Sequence, residues 1–175
     1  MIPLLCACQS APPENVPPAE TAADPPSFYC ERSHTNHAWS YTHRGIYVDG
    51  KGFVFRFRHS SRDQPLLRVH ADSLTEERLL ARYAPGRTPA GTPVPAAEMA
   101  RRYRQALESR DGELSEPRNR GADMGATISR CYLPGNVGIY REVVLRQSGD
   151  EEFENRSPAA RELSAWLDSL ALHAR

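Results

Sequence analysis

Lysine is nearly absent from this chain. Of the 22 Lys and Arg residues, Lys51 is the one lysine. With the abundant Ala and Pro this reads as a bias of the coding genome, so a cluster such as Arg101, Arg102 and Arg104 carries less functional weight than it would elsewhere. An excess of charge is lacking too. The 22 basic residues are matched by 22 acidic ones, which removes the electrostatic argument for nucleic acid as a partner. No apolar run reaches the roughly 18 residues of a membrane-crossing helix. A complete secretory signal peptide, with a basic start and about 7–15 apolar residues, is missing as well. Only "MIPLL" precedes the first cysteine. No motif names a reaction.

What is present suits one domain, since 175 residues are enough for one sizeable core. Residues 9–27 hold six of the 15 prolines and no Lys or Arg. Such a segment has too little apolar surface to offset its ordering entropy and reads as an extended tether. The expected organisation is residues 1–7 as the remnant of a signal peptide, 8–27 as anchor and tether, and 28–175 as a single α+β domain.

Within that domain, Phe53, Phe55 and Phe57 alternate with Val54, Arg56 and Arg58, the period of a half-buried strand. Ile46–Val48 precede them across "DGKG", so a β-hairpin is expected. "SLTEERLLARYA" reads as a helix with Ser73 and Glu76 at capping-box spacing. "PAAEMARRYRQALES" reads as another, with Ala96, Met99, Ala100, Tyr103, Ala106 and Leu107 on one face. A second hairpin runs through "ATISRCYL", "PGNVG" and "IYREVVLRQSGD". The last helix has Ser157 as N-cap, Pro158 at N1, and Ala159, Leu163, Trp166, Leu167 and Leu170 as its apolar stripe. The order ββ-αα-ββ-α predicts an antiparallel sheet of two β-hairpins with helices packed on one face.

Leu5-Cys6-Ala7-Cys8 resembles the lipobox of bacterial lipoproteins, with Leu5 at −3, Ala7 at −1 and Cys8 as the modified residue. The resemblance implies a covalent lipid on Cys8 and a signal peptide that begins upstream of Met1. Gln9 at +2 is not the aspartate of an inner-membrane retention signal, so the implied location is the cell envelope, at the outer membrane. Two or three acyl chains, at about 0.8 kcal/mol per buried CH₂, would hold the protein there. The C-terminal run "YREVVLRQSGDEEFENRSPAARELSAWLDSL" is similar to the ends of uncharacterised bacterial proteins, which supplies no function.

In an exported protein, Cys30 and Cys131 are most simply a disulfide; a catalytic cysteine beside a histidine is the alternative. "CERSHTNHAWSYTH" supplies His34, His37 and His43 as candidate metal ligands, with Glu31 nearby. Its Ser, Thr and Asn content otherwise reads as a polar loop before the first strand. Asp150, Glu151, Glu152 and Glu154 read as a solvated acidic loop, and "NRS" at 155–157 as helix capping. The Phe53/Phe55/Phe57 stripe reads as core, and Trp39 is the candidate exposed contact.

The expectation for function is a lipid-anchored envelope protein acting as a binding or structural module. It would meet the membrane through its anchor, and an envelope protein is a possible partner. Beyond the lipid no cofactor is expected, and nucleic acid is not expected as a partner. The alternative is a small hydrolase or metal-dependent enzyme using His34, His37 and His43. An envelope inhibitor of host hydrolases also fits the size and the disulfide.

Overall fold

The hairpin turn at "DGKG" forms because one carboxylate closes it. Asp49 Oδ1 accepts from the backbone N–H of Lys51 at 3.0 Å and of Phe53 at 2.9 Å. Gly52, at φ +86°, supplies the left-handed residue that the turn requires. The flanking strands are β2 (Tyr41–Asp49) and β3 (Val54–Ser61). They pair antiparallel in the register Val48↔Val54, Ile46↔Arg56 and Arg44↔Arg58. This computed structural model describes residues 27–38, 41–61, 73–121, 123 and 125–174. Cys6, Cys8, the proline-rich segment to residue 26, and Trp39 lie outside the described residues.

The other elements are β1 (Tyr29–Asn36), β4 (Ser73–Thr75), α1 (Glu76–Tyr83), β5 (Thr88–Pro89), α2 (Ala96–Ser109) and β6 (Arg118–Asn119). They are followed by β7 (Ala126–Pro134), β8 (Ile139–Gly149), β9 (Glu151–Glu154) and α3 (Pro158–His173). Among the described residues these make one nine-stranded sheet, ordered β5-β3-β2-β1-β7-β8-β9-β6, with β4 also on β8. Every pairing is antiparallel. The domain is therefore mixed α and β with an antiparallel sheet, larger and differently ordered than two hairpins.

Both sheet faces are covered, which corrects the expectation of helices on one face. Met99 and Ala106 of α2 and Leu163 and Leu167 of α3 pack with Phe28, Cys30, Val48 and Cys131 on one side. Fully buried leucines such as Leu163 and Leu167 contribute about 1.5–3 kcal/mol each. On the other side, Leu79 and Tyr83 of α1 join Tyr29, Tyr47, Phe57, Tyr132 and Tyr140. The Tyr47 and Tyr83 rings stack at 4.1 Å.

Cys30 and Cys131, directly opposite on β1 and β7, form a disulfide under α2 and α3. Asn155 ties the end of α2 to the start of α3. Its Nδ2 donates to the Ser109 carbonyl at 2.8 Å, and its Oδ1 accepts from Ser157 N at 3.0 Å. Ser157 caps α3 by accepting from Ala160 N at 3.1 Å, with Pro158 opening the helix.

Other expectations fail for local reasons. The segment read as a polar loop forms β1, because β2 and β7 satisfy its backbone from both sides. Thr75, not Ser73, caps α1, accepting from Arg78 N at 3.3 Å. The acidic loop contains β9, which pairs with β8 and with β6. Phe53 and Leu107 are exposed: Phe53 precedes β3 at the turn, and Leu107 lies off the buried face of α2.

Candidate arginine-lined cleft

Register decides which side chains share a face. Directly paired residues of an antiparallel sheet point the same way, and neighbours along a strand point oppositely. His34 pairs with Arg44 and with Thr127, and Arg44 pairs with Arg58. One row lower, Arg32 pairs with Ile46 and Ile46 with Arg56. Four arginines on three adjacent strands therefore share one face, the face that carries α2 and α3.

The last turn of α3 covers only part of that face. Between Ala171 and Leu172 of the helix and the arginines of the sheet lies an open cleft of about 810 Å³. Its lining includes Arg32, Arg44, Arg56 and Arg58 against one carboxylate, that of Asp168. Arg32 binds Asp168 through Nε, and Arg146 donates to the second Asp168 oxygen at 2.8 Å. Arg44, Arg56 and Arg58 are exposed and, among the described residues, have no ion pair. The carbonyl end of α3 contributes about half a negative charge, too little to balance them. Like charges directly opposite on paired strands destabilise, by about 0.2–1 kcal/mol, and Arg44 and Arg58 are such a pair. Burial first, and then the charges of Arg44 and Arg32, hold His34 below its ordinary value, with Asp150 pulling the other way. Its Nδ1 lies 3.0 Å from Thr127 Oγ1. The cleft thus presents unpaired guanidinium groups on one sheet face, a setting that suits an anion.

The reverse face handles charge in the opposite manner. Glu31 is wholly buried, as is Arg130 opposite it on β7. Arg130 Nε donates to Glu31 Oε1 at 2.6 Å, and its Nη1 donates to Glu142 at 2.6 Å. The Tyr83 hydroxyl donates to Glu31 Oε2, Ser33 Oγ donates to Oε1 at 3.0 Å, and Arg82 stands 3.9 Å away. Burial pushes Glu31 up, but Arg130 and Arg82 outweigh it and bring the carboxyl down to about 2. Burial likewise pushes His43 down to about 4. This network is a strut between β1, β7 and α1.

The structure does not gather the histidines proposed as metal ligands. His43 pairs with Thr35, the neighbour of His34, so His34 and His43 point to opposite faces. His37 lies beyond β1, exposed, its ring 5.1 Å from Tyr41. Among the described residues no group of three His, Cys, Asp or Glu side chains is placed to hold a metal ion. The parity of the strand pair keeps His34 and His43 apart. Cys30 and Cys131 are joined to each other, which leaves neither thiol for catalysis.

The arginines of the cleft drew no role from the sequence, although a signal was there. A "DGKG" turn in register sets residue numbers that sum to 102 opposite each other, which places Arg44 against Arg58. Comparison with protein-family models, with curated proteins and with solved structures finds no match to this chain.

Proposed function

We propose that this protein is a lipid-anchored binding module of the cell envelope, and that the arginine-lined cleft is its binding site for an anionic group. The observation that carries this reading is the trio Arg44, Arg56 and Arg58, exposed on one sheet face beside a cleft and without an ionic partner among the described residues. Strands fix where the three stems start, so an anion has to order only the side chains, at about 0.5–1.5 kcal/mol each. Binding is the reading preferred over catalysis because unpaired arginines dominate the described lining, whose one hydroxyl–imidazole contact is that of Thr127 with His34.

The anchor rests on the sequence: Leu5-Cys6-Ala7-Cys8 resembles a lipobox, and the proline-rich stretch 9–27 would space the domain from the outer membrane. The Cys30–Cys131 disulfide supports an oxidising compartment. The two halves of the proposal have separate tests. Radiolabelled palmitate should enter the protein expressed from its full upstream reading frame and should be lost in Cys8→Ala; label retained in that variant sinks the anchor. For the cleft, phosphate, sulfate, citrate and acetate are compared with chloride at equal ionic strength in thermal melts. At least one should raise Tm by several degrees, and by less in Arg44→Gln/Arg58→Gln. Equal melting in all five anions sinks the binding reading.

A further inference from the structure

We propose that the group recognised by the cleft is a phosphomonoester carried on an apolar body; this rests on the anion-binding reading above. The argument is one of counting acceptors. Three guanidinium groups stand free among the described residues, and each offers a planar fork of N–H donors that fits two oxygens. A carboxylate has two oxygens and can satisfy at most two forks well. A terminal phosphate has three free oxygens, and neighbouring forks can share them.

The placement agrees. Arg44 and Arg58 are direct cross-strand partners, and Arg56 lies two residues from Arg58 on the same face. Their stems therefore start within about 7 Å of one another, close enough to converge on one tetrahedral group. Charge agrees as well: among the described lining residues four guanidinium groups face the Asp168 carboxylate, a surplus of three positive charges. A dianion offsets these better than a monoanion.

The rest of the lining describes what the phosphate is attached to. Ile46 forms the floor between Arg32 and Arg56, and Ala171 and Leu172 form the opposite lip. Leu172 is 58% exposed at that lip. A free inorganic phosphate would use the forks and leave this apolar edge uncovered, so an organic phosphate binds more tightly. Such a group occurs on soluble metabolites and on lipid headgroups alike, and the chemistry presented to the cleft is the same.

The experiment titrates the full chain by calorimetry with phenyl phosphate, benzoate and inorganic phosphate at pH 8 and fixed ionic strength. In parallel, phosphatidylcholine vesicles carrying phosphatidic acid, a monoester, are compared with vesicles carrying phosphatidylglycerol, a diester. Phenyl phosphate should bind about tenfold or more tightly than benzoate, and more tightly than inorganic phosphate. Arg44→Gln and Arg58→Gln should each weaken it about tenfold. Arg104→Gln, an exposed arginine on α2 away from the cleft, should not. These exposed, unpaired side chains support no packing, so the variants should fold.

Binding to phosphatidic acid vesicles alone, lost in Arg58→Gln, supports the same chemistry from a lipid source. Binding of free phenyl phosphate without vesicle discrimination supports a soluble source. Benzoate as tight as phenyl phosphate overturns the phosphomonoester while the anion site stands. Absence of binding to every probe overturns both.

Discussion

Arg130 on one face of the sheet and the Arg44, Arg56 and Arg58 trio on the other are in opposite states. On the face under α1, Arg130 is buried and held by Glu31 and Glu142. On the face under α3, Arg44, Arg56 and Arg58 are exposed and unpaired among the described residues. A buried guanidinium without carboxylates would cost several kcal/mol, so its partners are obligatory. An exposed one is solvated and can wait for a partner from outside. The same residue type thus serves as a strut on one face and, on the other, stands open as the proposed anion site.

The comparison breaks most visibly where the strut is cut. Glu31→Gln leaves Arg130 and Arg82 without their shared carboxylate and should cost about 3–5 kcal/mol in urea unfolding. Replacing both sides, as Glu31→Gln/Arg130→Met, should cost markedly less than the single change. A single variant as stable as the wild type would mean that Glu31 and Arg130 are not paired in solution.

Close behind comes the disulfide, in the neighbouring register position on the same two strands: Cys30↔Cys131 lies next to Glu31↔Arg130. It closes a separation of 101 residues. Its removal by Cys30→Ala/Cys131→Ala should cost about 2–5 kcal/mol. Reduction with dithiothreitol should destabilise the wild type and leave this variant unchanged. No effect of reductant on the wild type would exclude the bond.

Acid should weaken the strut more gradually. Glu31 is held at about 2, below its unfolded value of about 4.3. Its contribution is therefore complete above pH 4.5 and is lost as pH falls towards 2. The loss should be on the order of 3 kcal/mol. Urea melts between pH 6 and 2.5 measure it, and Glu31→Gln should flatten that part of the profile. An equally steep profile in the variant would assign the acid sensitivity elsewhere.

Sequence periodicity exposed the arginine-lined face only in part. The hairpin at Asp49–Phe53, α2 at Ala96–Ser109 and α3 behind Ser157 and Pro158 are local structures, set by turn chemistry, caps and spacing, and such signals can be read from neighbours in the chain. Strand β1 could not be. Cys30, Glu31, Arg32, Ser33, His34 and Thr35 have the composition of a loop, and they form a central strand because β2 and β7 complete their ladders and Arg130 completes Glu31. Tertiary pairing overrides propensity here. The same gap hid the separation of His34 from His43, since face parity requires the strand to be known first. Arg56 and Arg58 are visible as the polar side of an alternating strand, but Arg44 joins them only through the pairing, and only the edge of α3 turns them into a cleft.

The smallest effect sharpens the contrast best, because its sign is reversed. Arg44→Gln removes one of two like charges that face each other across β2 and β3. At low salt it should raise stability by about 0.2–1 kcal/mol, whereas loss of Arg130 on the other face destabilises. The gain should shrink at 0.5 M salt as the repulsion is screened. The same substitution should move His34. With Arg44 gone, one of the charges holding the imidazole below its ordinary value disappears, so its pKa should rise, read by NMR from the ring protons. A bound anion should push it the same way in the wild type, because negative charge beside the ring favours imidazolium. In Arg44→Gln/Arg58→Gln the anion should no longer do so. If His34 titrates identically in wild type and Arg44→Gln, with or without anion, the three strands do not present their charges to a common cleft, and the two faces differ in burial alone.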